Sequence, residues 1–530
     1  MPTIFVSNSA TNGFPVGNDA NDGSTPALAK LTIASAHTAA AAGDVIFIND
    51  GTYDLGASSL SLTKAVALEA RTARGVVLIG TNATAIVTLT PPSSGALEIG
   101  ALDIRGTGSS ANVVAINNSA NVSTVRLRGC ALSGLTTTHV ILDSYRIGTT
   151  ELIDVTVSGQ IPANVYRSSA SLADVGAKTV SINGLHLSVE ATATGATVAV
   201  GIERAAAVSN ALTATVRNVT GRMFAPPALG VSAALVAIDL NKVANAVVDD
   251  IRLIVEADGA TSNDSCIVRV RGTDSTAVAH NARITRVRGA LLAPAGYAIQ
   301  VGAQTTASFT DDAYIAGCDL IGRFYASATP HGIAIGQCNR GLAINNVVRD
   351  FYVGAIPSIN QGARFISNVF DGCYGEVLFS KGSGATTPPL FAANIIVMRR
   401  NPHQTGTGVF GVAIQVATNN AGALFMGNVI VVMESAAINK FVLSDASQVA
   451  TFYGNLYALL PGASLPANAW EYSGTSYSTL AAWAAAVETV AMGYSDALVG
   501  AAGPGFPFAQ LAKILRGDLG VAPAVGALPS

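Results

Sequence analysis

Along most of this chain, short apolar runs alternate with clusters of Gly, Asn and Asp. The first runs are Ala65–Glu69, Val76–Ile79, Ala85–Leu89, Leu97–Ile104, Val113–Ile116 and Val125–Arg128. Later ones are Leu152–Val157, Val180–Leu187, Thr213–Val219, Val247–Val255, Ala282–Val287, Tyr314–Ile321 and Leu342–Val348. Runs rich in β-branched residues and closed by turn residues predict strands. Corresponding runs return roughly every 22 to 34 residues, the spacing of a solenoid in which each coil buries its apolar side against its neighbours. The period is irregular, and the longer coils between about 190 and 310 are expected to carry extra loops on one face.

The last third adds a register marker. An Asn stands just before an apolar run in Asn346-Val347-Val348, Asn368-Val369-Phe370, Asn394-Ile395-Ile396, Asn428-Val429-Ile430 and Asn455-Leu456-Tyr457. Stacked amides donate and accept along a solenoid axis, so these five residues predict a ladder satisfying buried turn backbone. Asn218 is a further candidate member.

The two ends read differently. Residues 1–16 form an extended lead-in. Gly17 to Ser24 is a polar turn, Pro26 opens a helix, and Leu31, Ile33, Ala36 and Ala40 carry it from Leu28 to Ala42, where Gly43 ends it. The strand Asp44–Ile48 and the turn Asn49-Asp50-Gly51 follow. After Tyr457, Pro461, Pro466 and Trp470 mark a loop, and Tyr477–Glu488 reads as a short helix with Leu480, Trp483 and Val487 on one face. A Gly/Pro-rich tail runs from Ser495 to Ser530.

A short helix running into GDVIFINDGTY, the Asn ladder and a Trp-bearing closing helix resemble right-handed parallel β-helix proteins of the pectate-lyase-like superfold. The resemblance implies an all-β solenoid: lead-in 1–16, cap and first coil 17–56, β-helix 57–458 and closing segment 459–530. It leaves the chemistry open, because that superfold carries lyases, hydrolases and inert adhesins.

Composition narrows the class. Half of the 530 residues are hydrophobic and only 12% are charged, about half the usual charged fraction. No run of about 18 apolar residues occurs, so no membrane insertion is expected. So few charges suggest that part of the surface is covered by other chains. The net charge of −3 and the scattered Lys/Arg give no reason to expect nucleic acid. The N-terminus lacks a basic region followed by an apolar stretch, so no secretory signal is expected. Five widely spaced cysteines show no CxxC, and the six histidines are isolated; neither cofactor nor metal is expected. Asp19-Ala20-Asn21-Asp22-Gly23 looks like half a calcium loop without its closing Glu, and reads better as an Asx-rich turn.

Candidate chemistry concentrates between 311 and 381, which holds Asp311, Asp312, Asp319, Arg323, His331, Arg349, Asp350, Asp371, Glu376 and Lys381. Aligning coils by Ile315, Ile344 and Ile366 puts Asp350 and Asp371 close to one another in register, and with strands stacked about 4.8 Å apart the two are expected to share a groove. With Glu376 they are the candidate catalytic carboxylates if the protein is an enzyme. The competing reading makes both ordinary turn residues. Tyr325, Tyr352 and Tyr374, with Arg323 and Arg349, are candidate glycan contacts, whereas Phe324, Phe351 and Phe370 read as core.

The resemblance to phage tailspikes and tail fibres implies a virion protein made in the host cytoplasm and released by lysis. It implies a homotrimer that meets other tail proteins and host surface polysaccharide. A polysaccharide depolymerase (a lyase or glycoside hydrolase) on the same β-helix is the first alternative. Others are a carbohydrate-active enzyme of the secreted type and a virion head decoration or fibre.

Overall fold

In a computed structural model of the chain, residues 2–494 are described, apart from residues 146 and 162 and short segments at 118–120, 171–176, 193–194, 205–211, 230–233, 258–264, 273–280, 303–309, 324–328, 358–361, 381–386, 401–410, 418–420, 435–436, 445–448, 461–462 and 489–490. The Gly/Pro-rich tail from Ser495 therefore lies outside the described residues. The chain divides into two compact units, Met1–His280 and Asn281–Ser530. Each is a parallel β-helix, as the alternation of strands and turns predicts.

In the first unit, strands stack in parallel coil upon coil. Between Val45↔Ala67 and Ala196↔Ala234 the advance per coil grows from 22 to 38 residues. Inward-facing side chains form straight columns. Ile46, Leu68, Ile99, Leu127, Leu152, Ile182, Val216 and Val248 lie in consecutive register and are all fully buried. Burying one such side chain contributes about 1.5–3 kcal/mol, so each column is a large share of the unit's stability.

The few charges are paired across coils. On the outward face Glu69, Arg128, Glu98, Arg126 and Glu151 form a chain of alternating sign, with contacts of 2.5, 2.9, 2.8 and 2.6 Å. Inside, Lys178 Nζ meets Asp143 Oδ2 at 2.9 Å, and the Tyr166 hydroxyl donates to the same oxygen at 2.6 Å. Nothing in the pattern of apolar columns pointed to this buried pair, which is closed off from solvent.

The N-terminal helix is shorter than expected. Pro26–Leu28 is a single 3-10 turn, and the α-helix is Ile33–Ala39. The Asp19 carboxylate accepts from the backbone N–H of Leu31 and Thr32, both at 2.9 Å, and Thr32 caps the helix through Ser35 N–H. Those bonds hold residues 31–32 out of the helix and leave Leu28 and Leu31 exposed. At the other end Lys64 Nζ donates to the carbonyls of Thr38 and Ala40. Asp22 accepts from Ser24, so the acidic run is a set of turn acceptors. Thr3–Val6, within the lead-in, already pairs in parallel with Val45–Ile48.

In the second unit, Asn346, Asn368, Asn394, Asn428 and Asn455 are fully buried and bonded one to the next, Nδ2 to Oδ1, at 2.8–3.0 Å. Three residues before four of them stands a phenylalanine. Phe365, Phe391, Phe425 and Phe452 stack with centroids 5.2, 4.9 and 5.1 Å apart. The repeated unit is therefore Phe-x-x-Asn. Asn218 does not belong to it: it is exposed, at φ 53°, and its amide donates to exposed Asn183. The closing helix is Leu480–Ala486, capped by Thr479 and buried through Leu480 and Trp483. Val487 is its C-cap, so the expected span of 477–488 is too long at both ends.

Candidate functional site

The 311–381 stretch builds one corner of the second unit, where the chain turns from Val347–Arg349 into Val353–Pro357 and, one coil later, from Val369–Asp371 into Glu376–Ser380. Strand register pairs Arg349, not Asp350, with Asp371. Asp350 sits one residue on, in the turn at φ 59°, and its N–H donates to the Asp371 carbonyl at 3.1 Å. Ile344 does pair with Ile366, whereas Ile315 pairs with Ala343, and Asp350 lies near Asp371 but one residue past strict register.

Arg399, from the following coil, joins the two side chains. Its Nε lies 2.8 Å from Asp371 Oδ1 and its Nη2 lies 3.3 Å from Asp350 Oδ1. Gly372 leaves the space they need: a Cβ there would stand 2.6 Å from Asp350 Oδ1 and 2.8 Å from Arg399 Nη2. Burial raises the Asp350 carboxyl and Asp371 adds to the rise, while Arg399 and Arg349 pull it back. Arg349 itself turns to Asp319 at 3.0 Å. Two carboxylates sharing one guanidinium form an ion-paired brace across adjacent coils. Sequence reading missed Arg399 as a partner. The available signal was its spacing, one coil beyond Asp371.

Past the turn lies a second group. The Tyr352 hydroxyl donates to Glu376 Oε1 at 3.3 Å, and the rings of Tyr352 and Tyr374 meet edge to face with centroids 5.7 Å apart. Burial pushes the Glu376 carboxyl up to about 7, so it changes charge near neutrality. Tyr374, expected on an exposed face, is 2% exposed, because its ring is packed against Tyr352 and the turn. Tyr352 and Glu376 remain half-buried. Phe351 and Phe370 are core, as expected. Arg323 is exposed. Tyr325, Phe324 and Lys381 lie outside the described residues.

The row that carries Glu376 continues through Val412 to Lys440, which pairs with Glu471. Extending the Ala355↔Leu378 register back by two residues sets Val353 beside Glu376, and Val353 lies beside His331. His331 stacks on Tyr297 with centroids 4.8 Å apart. His331, which looked isolated in the sequence, thus shares a row with an aromatic ring, a carboxyl near neutrality and a lysine, and within that row Tyr297, Val353 and Val412 are buried. At about 4.8 Å per strand the row from Tyr297 to Lys440 measures roughly 24 Å. Among the described residues no three His, Cys, Asp or Glu side chains gather as a metal site.

No protein-family model matches this chain, and no curated protein does. Among solved structures, a mannuronic acid specific polysaccharide family 6 lyase from human gut microbiota aligns over 91% of this chain and 95% of its own, at 11% identity and a TM-score of 0.35. The GH136 lacto-N-biosidase from Eubacterium ramulus aligns over 86% of this chain and 68% of its own, at 13% identity and a TM-score of 0.29. Likeness at this level transfers neither residues nor activity, and the fold stands on the strand pairing described above.

Proposed function

We propose that this chain is a glycan-binding parallel β-helix whose contact surface is the corner around Tyr352 and Glu376. The observation that carries the reading is the pairing of half-buried Tyr352 with a half-buried carboxyl near neutrality at one corner, beside an aspartate pair held by Arg399. A sugar presents a C–H face that packs on an aromatic ring and hydroxyls that bond to a carboxyl, so the two groups complement it. The finer reading is a tailspike-like or tail-fibre-like adhesin of a virion, working as a homotrimer. It rests on the resemblance of the cap, ladder and closing helix, and on the low charge content. The test is retention on an array of bacterial surface polysaccharides. Wild type is expected to be retained, Asp350→Asn and Asp371→Asn to be retained equally, and Tyr352→Ala to be lost.

One observation favours cleavage as a second reading: Glu376 holds a proton near neutral pH, as a general acid must. It predicts release of reducing ends from the retained polysaccharide, abolished by Glu376→Gln. Binding without release supports the adhesin.

A further inference from the structure

Helix Ile33–Ala39 lies on three strands of the first unit, Thr3–Val6, Val45–Ile48 and Leu60–Leu62. It buries Ile33, Ala36 and His37. His37 is 7% exposed and reaches the turn after Leu60–Leu62. There its Nε2 accepts from the backbone N–H of Thr63 at 3.1 Å and of Lys64 at 3.3 Å. A ring nitrogen that accepts carries no hydrogen, so His37 is neutral here, with its proton on Nδ1.

Protonating Nε2 would set an N–H against two backbone N–H groups that cannot turn round. His139 and His186 are placed differently. Their partners are the Asn164 amide and the Thr220 hydroxyl, each able to present an oxygen to a ring N–H. Charge around His37 opposes the proton as well. The three strands carry no titratable side chain, and beside them stand Asp19, Asp44 and Lys64. Both carboxylates are committed to backbone N–H groups at the two ends of the helix, Asp19 to Leu31 and Thr32 and Asp44 to Ala41. The Lys64 ammonium donates to the carbonyls of Thr38 and Ala40, next to the imidazole. Burial first, and Lys64 second, hold His37 below the ordinary 6.5.

We propose that His37 is the pin of an acid-released lid: protonation at Nε2 frees helix Ile33–Ala39 from the first coils and leaves the solenoid beneath it standing. Thr3–Val6 stays because it pairs with Val45–Ile48 along its length. On its other side Phe5 N–H donates to the Gly23 carbonyl, and the Phe5 carbonyl accepts from Lys30 N–H, both at 2.9 Å. None of these backbone bonds titrates. The closed lid holds the His37 proton less tightly than the open one. The closed state is therefore favoured fully above about pH 6.5 and loses up to about tenfold for each unit below it.

Hydrogen exchange of the full chain tests this, read by mass spectrometry at pH 7.5 and pH 5 and corrected for the intrinsic exchange rate. In wild type, opening of peptides over residues 33–40 and 60–65 is expected to rise roughly fivefold or more at pH 5. A peptide across Asn394 in the second unit is expected to keep its protection. His37→Gln supplies an oxygen that accepts but does not titrate, and is expected to hold the lid closed at both pH values. Should the glutamine fail to seat and leave the lid open throughout, exchange of the imidazole C2 hydrogen in wild type decides, because it reads the titration of His37 itself. A midpoint below 6.5 is expected. Unchanged opening in wild type, an equal rise at Asn394, an equal rise in His37→Gln, or a His37 midpoint at or above 6.5 would each overturn the proposal.

Discussion

Arg399 Nε lies 2.8 Å from Asp371 Oδ1, and the same guanidinium reaches back to Asp350 at 3.3 Å. One cation from a later coil thus offsets the repulsion of two carboxylates in adjacent coils. Arg399→Met is expected to cost about 1–2 kcal/mol at pH 7, the modest figure reflecting half-exposed groups. The loss should shrink toward pH 4, because protonating Asp350 relieves the repulsion that remains. Urea unfolding at the two pH values checks this. An equal loss at both would mean that Arg399 acts through packing alone.

Glu376 gives the opposite pH signature. Its carboxyl titrates near 7 in the folded protein against an ordinary 4.5, so the folded state binds the proton more tightly than the unfolded state. Stability from this group is fully present below about pH 4.5 and is lost as pH rises to about 7. A rise from 4.5 to about 7 corresponds to about 3 kcal/mol. Glu376→Gln should therefore be more stable than wild type at pH 8 and indistinguishable from it at pH 4. Denaturation curves of both proteins across that range test the sign directly.

The ladder makes a positional prediction. Asn394→Leu strands the Asn368 amide and N–H that bond to its Oδ1, at a cost of about 1–3 kcal/mol per site. Phe391→Ala, which empties a place in the ring stack, should cost about 3–5 kcal/mol. The same leucine change at exposed Asn117, whose amide bonds only to the Thr90 hydroxyl, should cost almost nothing. Thermal unfolding of the three variants distinguishes a working ladder from a coincidence of turn composition.

Assembly is tested by mass. The outward face of one sheet in the second unit carries Leu342, Ile366, Leu390, Leu424 and Met426, with exposed Arg364 in register between Leu342 and Leu390. An apolar flank of that kind fits burial against other copies. Light scattering of dilute wild type is expected to give about three times the 53.6 kDa chain mass, and a stable monomer would remove the tailspike-like reading.

The fold was legible because its signals are local and repeated. Apolar runs, turn glycines and the five asparagines each mark successive coils, and the structure keeps them, although the coil at Ala196↔Ala234 reaches 38 residues, beyond the 22 to 34 expected. What could not be read is what depends on three-dimensional partnership. Helix Ile33–Ala39 starts late because Asp19, fourteen residues before Ile33, takes the N–H groups of Leu31 and Thr32. The role of Arg399 depends on a register set by two intervening turns, and the burial of Tyr374 on a ring from the neighbouring coil. Glu488 accepts from the Asn455 side-chain amide at 2.8 Å, 33 residues on and within the coil spacing, but reading an asparagine ladder gave no reason to look for a carboxylate next in line.

The proposed glycan contact at the Tyr352–Glu376 corner is tested by isothermal titration of wild type, Tyr352→Ala and Tyr352→Phe with a polysaccharide retained on the array. Wild type is expected to bind, Tyr352→Ala at least tenfold more weakly, and Tyr352→Phe, which keeps the ring but not the hydroxyl, with an intermediate loss, while thermal unfolding shows that all three remain folded. Equal affinities for the three proteins would rule out this corner as the contact.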